Sequence, residues 1–509
     1  MLTATNTSYA EVPYESFPIM GTHPDRLSTL ARLMGIETPA IETCRVLELG
    51  CAGGGNLIPM AVQLPSAQFT GVDLSAAQVA VGDALIRALQ LDNLQLIAGN
   101  VMDIDDNFGQ FDYIIAHGIF SWVPNAAQEK ILEICNRRLA PNGVAYVSYN
   151  ALPGFRMRAT IRDLMRYQAL QFPEPDKRVA QARAVLDLLA RGVPDEHSAY
   201  GTLLRSEADL LRRAPDYYIL HEHLADVNEP SYFHEFVERA FRHGLQYLGD
   251  AEFATMLLSR FSPQVADMVR KIASDVIRQE QLMDFLSNRA FRQTLLMHVE
   301  QPIDRSVAPQ RLKDLWVSSP ASPARSDPNL AEGVSEKFCT PAGLCVNTPR
   351  AITKAALVVL AARWPVAVAF ADLLATAYSR LNPLAAKPPR ADDFDLLAGE
   401  MLQCYSAGLV ELHACASPFS IEPGARPRVS PLARYQAERG ERVTTLRHES
   451  IVVPDAIRAL LPLLDGSRTL DEISAAVKAG RVDLSRQFAD LAALKSAVDQ
   501  IARNTLIPT

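Results

Sequence analysis

Between residues 44 and 150 the apolar positions fall into two alternating patterns. Compact runs of strand length, "RVLELG", "QFTGVDL", "NLQLIAGN", "FDYIIAHG" and "GVAYVSYN", predict buried strands. Between them the apolar residues recur at helical spacing. "NLIPMAVQL" predicts a helix with Pro59 in or near its first turn. Residues 75–91 predict a second, with Ala77, Val81, Ala84, Leu85 and Ala88 on one face. Ser75 stands at its N-cap, and Gln78 three residues on fits a capping box. Residues 125–140 predict a third, facing inward with Ile131, Leu132, Cys135 and Leu139. Strands alternating with helices predict an α/β fold, a doubly wound, Rossmann-like parallel sheet with helices on both faces.

From residue 155 to about 300 the pattern is mostly helical and rich in Leu, Ala and Arg, broken at "NEP" and "HGLQYLGD". Residues 318–328, "SSPASPARSDP", hold little that a core would bury and read as a linker. Residues 352–415 and 456–509 form a weak internal repeat. Each offers helix, turn, helix, helix and an extended end, which predicts winged-helix-like units. Thr469 and Glu472 make a capping box in the second copy. The expected organisation is a first domain over 1–155, a helical regulatory or dimerisation domain over 156–317, a linker over 318–337, and one or two winged-helix-like units over 338–509.

With 509 residues the chain is too long for one core. A net charge of -8 argues against broad nucleic-acid binding. The candidate recognition helices, "FADLLATAY" and "LDEISAAV", carry acids and almost no base, so protein contact or a homodimer is expected there in place of DNA. The most apolar window, residues 355–375, is interrupted by Arg363, Pro365 and Asp372 and predicts core helices, not a membrane span. The N-terminus has neither the basic start nor the apolar run of a signal peptide. Seven scattered cysteines predict free thiols in a reducing cytoplasm and no zinc site. Cys339 and Cys345, and His413 near Cys415, read as core residues.

The chemistry concentrates in "VLELGCAGGG", residues 46–55. Glycines after strand one let a ligand approach the backbone. Asp73, ending strand two about 23 residues after Gly50, suits a carboxylate that grips ribose hydroxyls. These two features fit NAD and S-adenosylmethionine equally. Glu48 distinguishes them: a carboxylate beside the loop repels a pyrophosphate and attracts the positive amino group and sulfur of a sulfonium cofactor. The competing reading of Glu48 is a simple pairing with a nearby base. In "GNVMD", Asn100 suits the exocyclic amine of adenine, with Val101 or Met102 against the ring. "HGIFSWVP" and "YNALPGF" follow strands four and five, where an acceptor pocket opens. His117, Phe120, Trp122, Tyr149 and Asn150 cluster there, and the aromatic residues suit an alkyl amine through cation–π contact, unless they are core aromatics.

"ELGCAGG", "GVDLS", "HGIFSWVP" and "YVSYNALPGF" resemble class I S-adenosylmethionine-dependent methyltransferases that carry a methyltransferase regulatory domain. The resemblance extends upstream through "YAEVPYES" and "THPDRL". Downstream it includes "HEHLADVNEPSYFHEFVERAFRHGLQYLGDAEF" and "EQLMDFLSNRAFRQTLL". Within the family the chain resembles bacterial lysine methyltransferases of outer-membrane proteins. The resemblance implies that Glu48, Gly50, Cys51, Ala52, Gly53 and Gly54 line the cofactor and that Asp73, with Leu74 and Gln78, meets its ribose side. Asn100, Val101 and Met102 would flank the adenine, and His117 would border both ligands. Ala52 replaces a glycine common in the class, and Asn100 stands where many relatives have Asp. The segment around Tyr9 and Tyr14 is similar to an N-terminal cap. Tyr14, Trp122 and Tyr149 are then expected to line the acceptor slot, with His117 or Asn150 as polar guide. The implied acceptor is a protein with accessible lysines, such as an outer-membrane protein before export. The alternatives are a small-molecule methyltransferase and a cofactor-binding regulatory protein without turnover.

Overall fold

The computed structural model describes residues 15–195, 197–382, 389–479, 488 and 491–509. Its central sheet uses β1 (Arg45–Leu49), β2 (Gln68–Asp73), β3 (Leu94–Ala98), β4 (Phe111–Ala116) and β5 (Leu139–Leu152), all parallel, in the order β3-β2-β1-β4-β5. The order reverses between β1 and β4, so the ligand crevice of such a sheet opens at the carboxyl ends of these strands. Helices α1 (Pro24–Leu33), α2 (Leu57–Gln63), α3 (Ala76–Leu89) and α4 (Asn125–Arg137) accompany it. Side chains alternate across β1: Val46 enters one core, Leu47 and Leu49 the other. Burial on both faces is why these strands read as near-continuous apolar runs.

Helices α5 (Phe155–Ala169), α6 (Pro175–Gly192) and α7 (Ala199–Arg213) close a separate small core around Ile161, Leu186 and Leu204. The rest of this region departs from the helical expectation. A two-residue strand β6 (Ser231–Tyr232) pairs with the end of β5. After α8 (Phe233–Arg242), β7 (Leu245–Asp250) and, after α9 (Pro263–Ile272) and α10 (Val276–Ser287), β8 (Phe291–His298) extend the sheet, β8 running antiparallel to both β5 and β7. Polar residues disguised β8 as something other than a buried strand. Arg292 is wholly buried, yet it is matched by Glu280 and Asp284, each at 2.8 Å, and lies 3.8 Å from the Phe233 ring centre.

The last third holds two helical units. The first has α11 (Ala351–Arg363), α12 (Phe370–Leu381), α13 (Ala391–Ser406) and a small sheet of Val368–Ala369, Trp316–Ser318 and Glu411–His413. Its helices share one continuous core with a face of the main sheet, to which Leu357 and Phe370 belong together with Val46 and Phe69. The second has α14 (Pro431–Ala437), a hairpin of Arg442–Thr444 and Ser450–Val452, then α15 (Asp455–Leu460), α16 (Leu470–Lys478) and α17 (Leu491–Arg503) around its own core. The Thr469–Glu472 capping box is present.

Two expectations are corrected here. The stretch 318–328 is not a bare linker: Ser318 and Ser319 are buried, the Ser319 hydroxyl donates to the Leu409 carbonyl at 2.6 Å, and Ser322–Pro323 pairs with Phe338 and Cys339. Cys339 and Cys345 are neither core residues nor free thiols. They face each other across an antiparallel hairpin and form a disulfide. Their Cα atoms are 4.1 Å apart, the close spacing of a pair without hydrogen bonds between its own backbones. The other five cysteines are free.

Candidate active site

The loop after β1 is built to bring backbone close to a ligand. Gly50 and Gly54 have φ of 75° and 72°, and Ala52 shares the left-handed region at 47°. That conformation costs an alanine about 1–2 kcal/mol. A bond from Asp73 helps hold it: Oδ2 accepts the Ala52 N–H and Oδ1 the Ser75 N–H, both at 2.8 Å. Asp73 thus ties the loop after β1 to the start of α3, and burial raises its carboxyl pKa. Each oxygen keeps a lone pair for a hydroxyl donor.

Glu48 lies at the end of β1, 4% exposed. Its Oε1 accepts from Asn56 Nδ2 at 2.8 Å, whereas Oε2 has no partner. Burial pushes its carboxyl up to about 8 against the opposing pull of the Asn56 bond, and Asp73 adds to the rise. Among the described residues no base pairs with it, which counts against the competing reading. A buried carboxyl with an unused oxygen beside an open backbone loop fits a ligand that brings a positive group. The donor set fits an amino-acid sulfonium nucleoside: acid at one end and a hydroxyl acceptor at Asp73.

The remaining residues expected around the cofactor take different places. Cys51 is buried with its side chain in the core, so its approach is through backbone, its N–H donating to the Val72 carbonyl at 3.2 Å. Gly53 lies against Gln78, and Ser75 Oγ accepts the Gln78 N–H at 3.4 Å. Leu74 is 63% exposed. Asn100 is exposed, and its Oδ1 caps the Met102 N–H at 3.0 Å. Val101 is buried and Met102 is exposed beside it.

On the opposite side, His117 Nδ1 lies 2.9 Å from the Tyr146 hydroxyl, which donates to Gln293 Oε1 at 2.8 Å. Burial lowers the His117 pKa to about 4, so its ring is neutral at neutral pH. Asn150 is buried. Its backbone N–H donates to Ser121 Oγ at 2.9 Å, and its side-chain Nδ2 has no partner. Trp122 is half-buried on the turn that follows Ser121. Tyr149 departs from the slot expectation. It stacks on Phe236 at 4.2 Å, and its hydroxyl accepts from Thr294 Oγ1 at 3.3 Å, deep in a core shared with Phe120. A residue at this point of β5 points to the opposite face from Asn150, which follows from the two-residue period of a strand.

Tyr9 and Tyr14 lie outside the described residues. The chain just after them crosses the glycine loop: the Gly55 N–H donates to Ser16 Oγ at 2.8 Å, and a Cβ on Gly55 would fall 2.1 Å from the Ser16 carbonyl oxygen. Several residues of the site have no signal in the local sequence. Asn56 joins Glu48 to Thr22 Oγ1 at 2.9 Å and to His448 Nε2 at 2.7 Å. Tyr146 and Gln293 support His117 from two different strands. Only Asn56, next to the glycines, was open to detection from spacing. Among the described residues, no helix is long and apolar enough to cross a membrane.

The family described as "Methyltransferase domain" matches residues 47–145, "Predicted methyltransferase regulatory domain" residues 215–298, and "PKMT, C-terminal winged helix domain" residues 425–507. An uncharacterised protein of Rickettsia prowazekii is 36% identical over 497 residues, covering 95% of this chain and 88% of its own length. A second from the same organism is 39% identical over 241 residues, covering 47% of this chain and 96% of its own. PKMT2 from Rickettsia typhi, solved in complex with AdoHcy, is similar in structure with a TM-score of 0.85 and 30% identity, covering 97% of this chain and 100% of that one.

Proposed function

The chain belongs to the methyltransferase family that joins a methyltransferase domain, a regulatory domain and a PKMT winged-helix domain, and we propose that it methylates lysine side chains of a protein substrate. It is an S-adenosylmethionine-dependent enzyme. The observation that carries the cofactor reading is Glu48, buried at the strand end with one oxygen unused beside the glycine loop. When bound, S-adenosylmethionine supplies a methyl group on a positive sulfur, which a neutral amine displaces in line to leave S-adenosylhomocysteine. Glu48 is assigned to the amino end of the cofactor and Asp73 to its ribose. Asn100, Val101 and Met102 are assigned to the adenine.

The acceptor side supports an amine. A lysine with an ordinary pKa of about 10.4 must lose its proton before attack. His117, held neutral by burial, borders the site without adding a charge that repels an arriving ammonium. The unused amide of Asn150 and the half-exposed Trp122 complete a polar and aromatic lip, and binding orients nitrogen and methyl on one axis. Tyr149 supports this lip from the core. An outer-membrane protein met before export is the acceptor the resemblance favours, and the acidic recognition helices of the C-terminal units support protein contact or a homodimer.

Incubation with methyl-labelled S-adenosylmethionine and a cell-envelope extract tests the reading. Protein bands that hydrolyse to labelled methyl-lysine support it. Label confined to small molecules replaces the acceptor class, and no label replaces the enzyme by a cofactor-binding regulator. Light scattering of the purified chain tests the homodimer.

A further inference from the structure

The hairpin of the C-terminal unit ends in a turn, residues 445–449, fixed from several sides. The Thr445 N–H donates to the Glu449 carbonyl and the Leu446 N–H to the Thr505 carbonyl, both at 2.8 Å. Arg447 Nη2 reaches Glu411 Oε1 and Oε2 at 3.0 and 3.1 Å, and its guanidinium lies 4.6 Å from the Trp364 ring centre. His448 takes a left-handed backbone, φ 61°, is 2% exposed, and places Nε2 2.7 Å from Asn56 Oδ1.

The bonding around Asn56 orients its amide, whose Oδ1 has the Thr22 hydroxyl at 3.3 Å. Its Oδ1 also accepts the Ile19 N–H at 2.9 Å, so the amide oxygen faces His448 and the ring donates through Nε2–H. Its Nδ2 donates to Glu48 Oε1 and to Thr22 Oγ1, and the Thr22 hydroxyl passes its own proton to the Ile19 carbonyl at 2.8 Å. Every donor and acceptor of the amide is committed. Removing the His448 donor strips the amide oxygen of its shortest bond and leaves the Ile19 N–H and Thr22 to hold the amide, so the grip on Glu48 loosens.

We infer that His448 is a positioning residue for cofactor binding: through Asn56 it fixes the Glu48 carboxylate, so the C-terminal unit completes a site whose glycine loop and acids lie within residues 48–73. The two groups are 400 residues apart in sequence and two hydrogen bonds apart in space. The C-terminal unit then has a role in cofactor affinity, separate from any role in acceptor choice.

Titration of the full-length chain with S-adenosylhomocysteine by calorimetry, beside thermal unfolding, tests this. His448→Ala is expected to weaken binding about 10-fold, the size of one lost buried hydrogen bond. His448→Gln, whose amide N–H can stand where Nε2–H stood, is expected to recover affinity to within about 3-fold of the wild type, whereas His448→Leu, of comparable size and without a donor, stays about 10-fold weak. In a Glu48→Gln background, adding His448→Ala is expected to change affinity less than about 2-fold, because both act through one carboxylate. Equal weakening by Gln and Leu, wild-type affinity in His448→Leu, or an undiminished His448→Ala effect beside Glu48→Gln overturns the inference. If His448→Ala does not fold, the Gln and Leu pair decides. No methyl acceptor enters the measurement, so failure of the lysine assignment leaves this result standing.

Discussion

Glu48 and Asn56 share one hydrogen bond, Nδ2 to Oε1 at 2.8 Å, and the second Glu48 oxygen has none. The carboxyl, raised by burial from 4.5 to about 8, holds its proton in the free folded protein at neutral pH and loses it in the unfolded chain. The folded state therefore binds the extra proton between these two values, and this group's contribution to stability falls as pH rises from about 4.5 to 8. A ligand that brings a positive group favours the ionised form. Binding of S-adenosylhomocysteine at pH 7 is expected to release close to one proton, read as a dependence of the binding enthalpy on buffer ionisation enthalpy. In Glu48→Gln that dependence should vanish; its persistence would assign the proton to another group.

Gly82 tests how tightly α3 approaches the glycine loop. Alanine in a helix interior normally stabilises over glycine by about 1 kcal/mol. At Gly82 a Cβ would fall 2.3 Å from Leu96 Cδ1 and 2.6 Å from the Gly53 carbonyl oxygen. Gly82→Ala is expected to destabilise by about 1–3 kcal/mol and to weaken cofactor binding at least 10-fold. Gly399, in α13 with nothing within 4 Å of a Cβ, is the control, and Gly399→Ala should gain about 1 kcal/mol. Denaturant unfolding of both variants reads the contrast.

Asn150 separates acceptor from cofactor. Its backbone bond to Ser121 survives substitution, and the side-chain Nδ2 is the unused group. Asn150→Ala should leave S-adenosylhomocysteine affinity within about 2-fold and lower turnover on a lysine acceptor about 10-fold, one hydrogen bond's worth. Steady-state kinetics with both substrates varied provides the split. Lost cofactor affinity with intact kcat would move Asn150 to the other ligand.

Asp25 joins α1 to the C-terminal region. Its Oδ2 accepts from His413 Nδ1 at 2.8 Å and its Oδ1 from the Ala414 N–H at 2.6 Å. Burial raises its pKa, but His413, His23 and Arg26 outweigh burial and hold it down to about 2, from 3.8. The stability it confers is present above about 3.8 and lost as pH falls to about 2, on the order of 2 kcal/mol. Asp25→Asn should lower stability at pH 7 and flatten the acid limb below pH 4 in urea unfolding. A wild-type acid limb in the variant would place the titration elsewhere.

The sheet up to β5, the helices between its strands and the acid pair Glu48 and Asp73 were legible because each announces itself within a few residues: a buried run, a cap, a glycine turn. β8 was not, because Arg292 stands in it and the acids that neutralise Arg292 come from α10. The disulfide was hidden for a similar reason, since only hairpin register places Cys345 opposite Cys339. Tyr149 read as slot-lining because its position along β5 was visible and its face was not. His448 was beyond reach: nothing near it in sequence says that its ring meets Asn56.

The strand order also sets a timetable for synthesis. β5 offers fourteen residues of sheet edge, and much of that edge is covered by β8, about 140 residues later. At about 5–20 residues per second, a ribosome needs roughly 7–28 s to deliver the cover. For that interval the nascent chain carries an open, apolar strand of the kind that recruits other strands. The growing polypeptide is thus expected to be a client for chaperones well before it is an enzyme, with binding strongest in chains stalled after β5 and before β8.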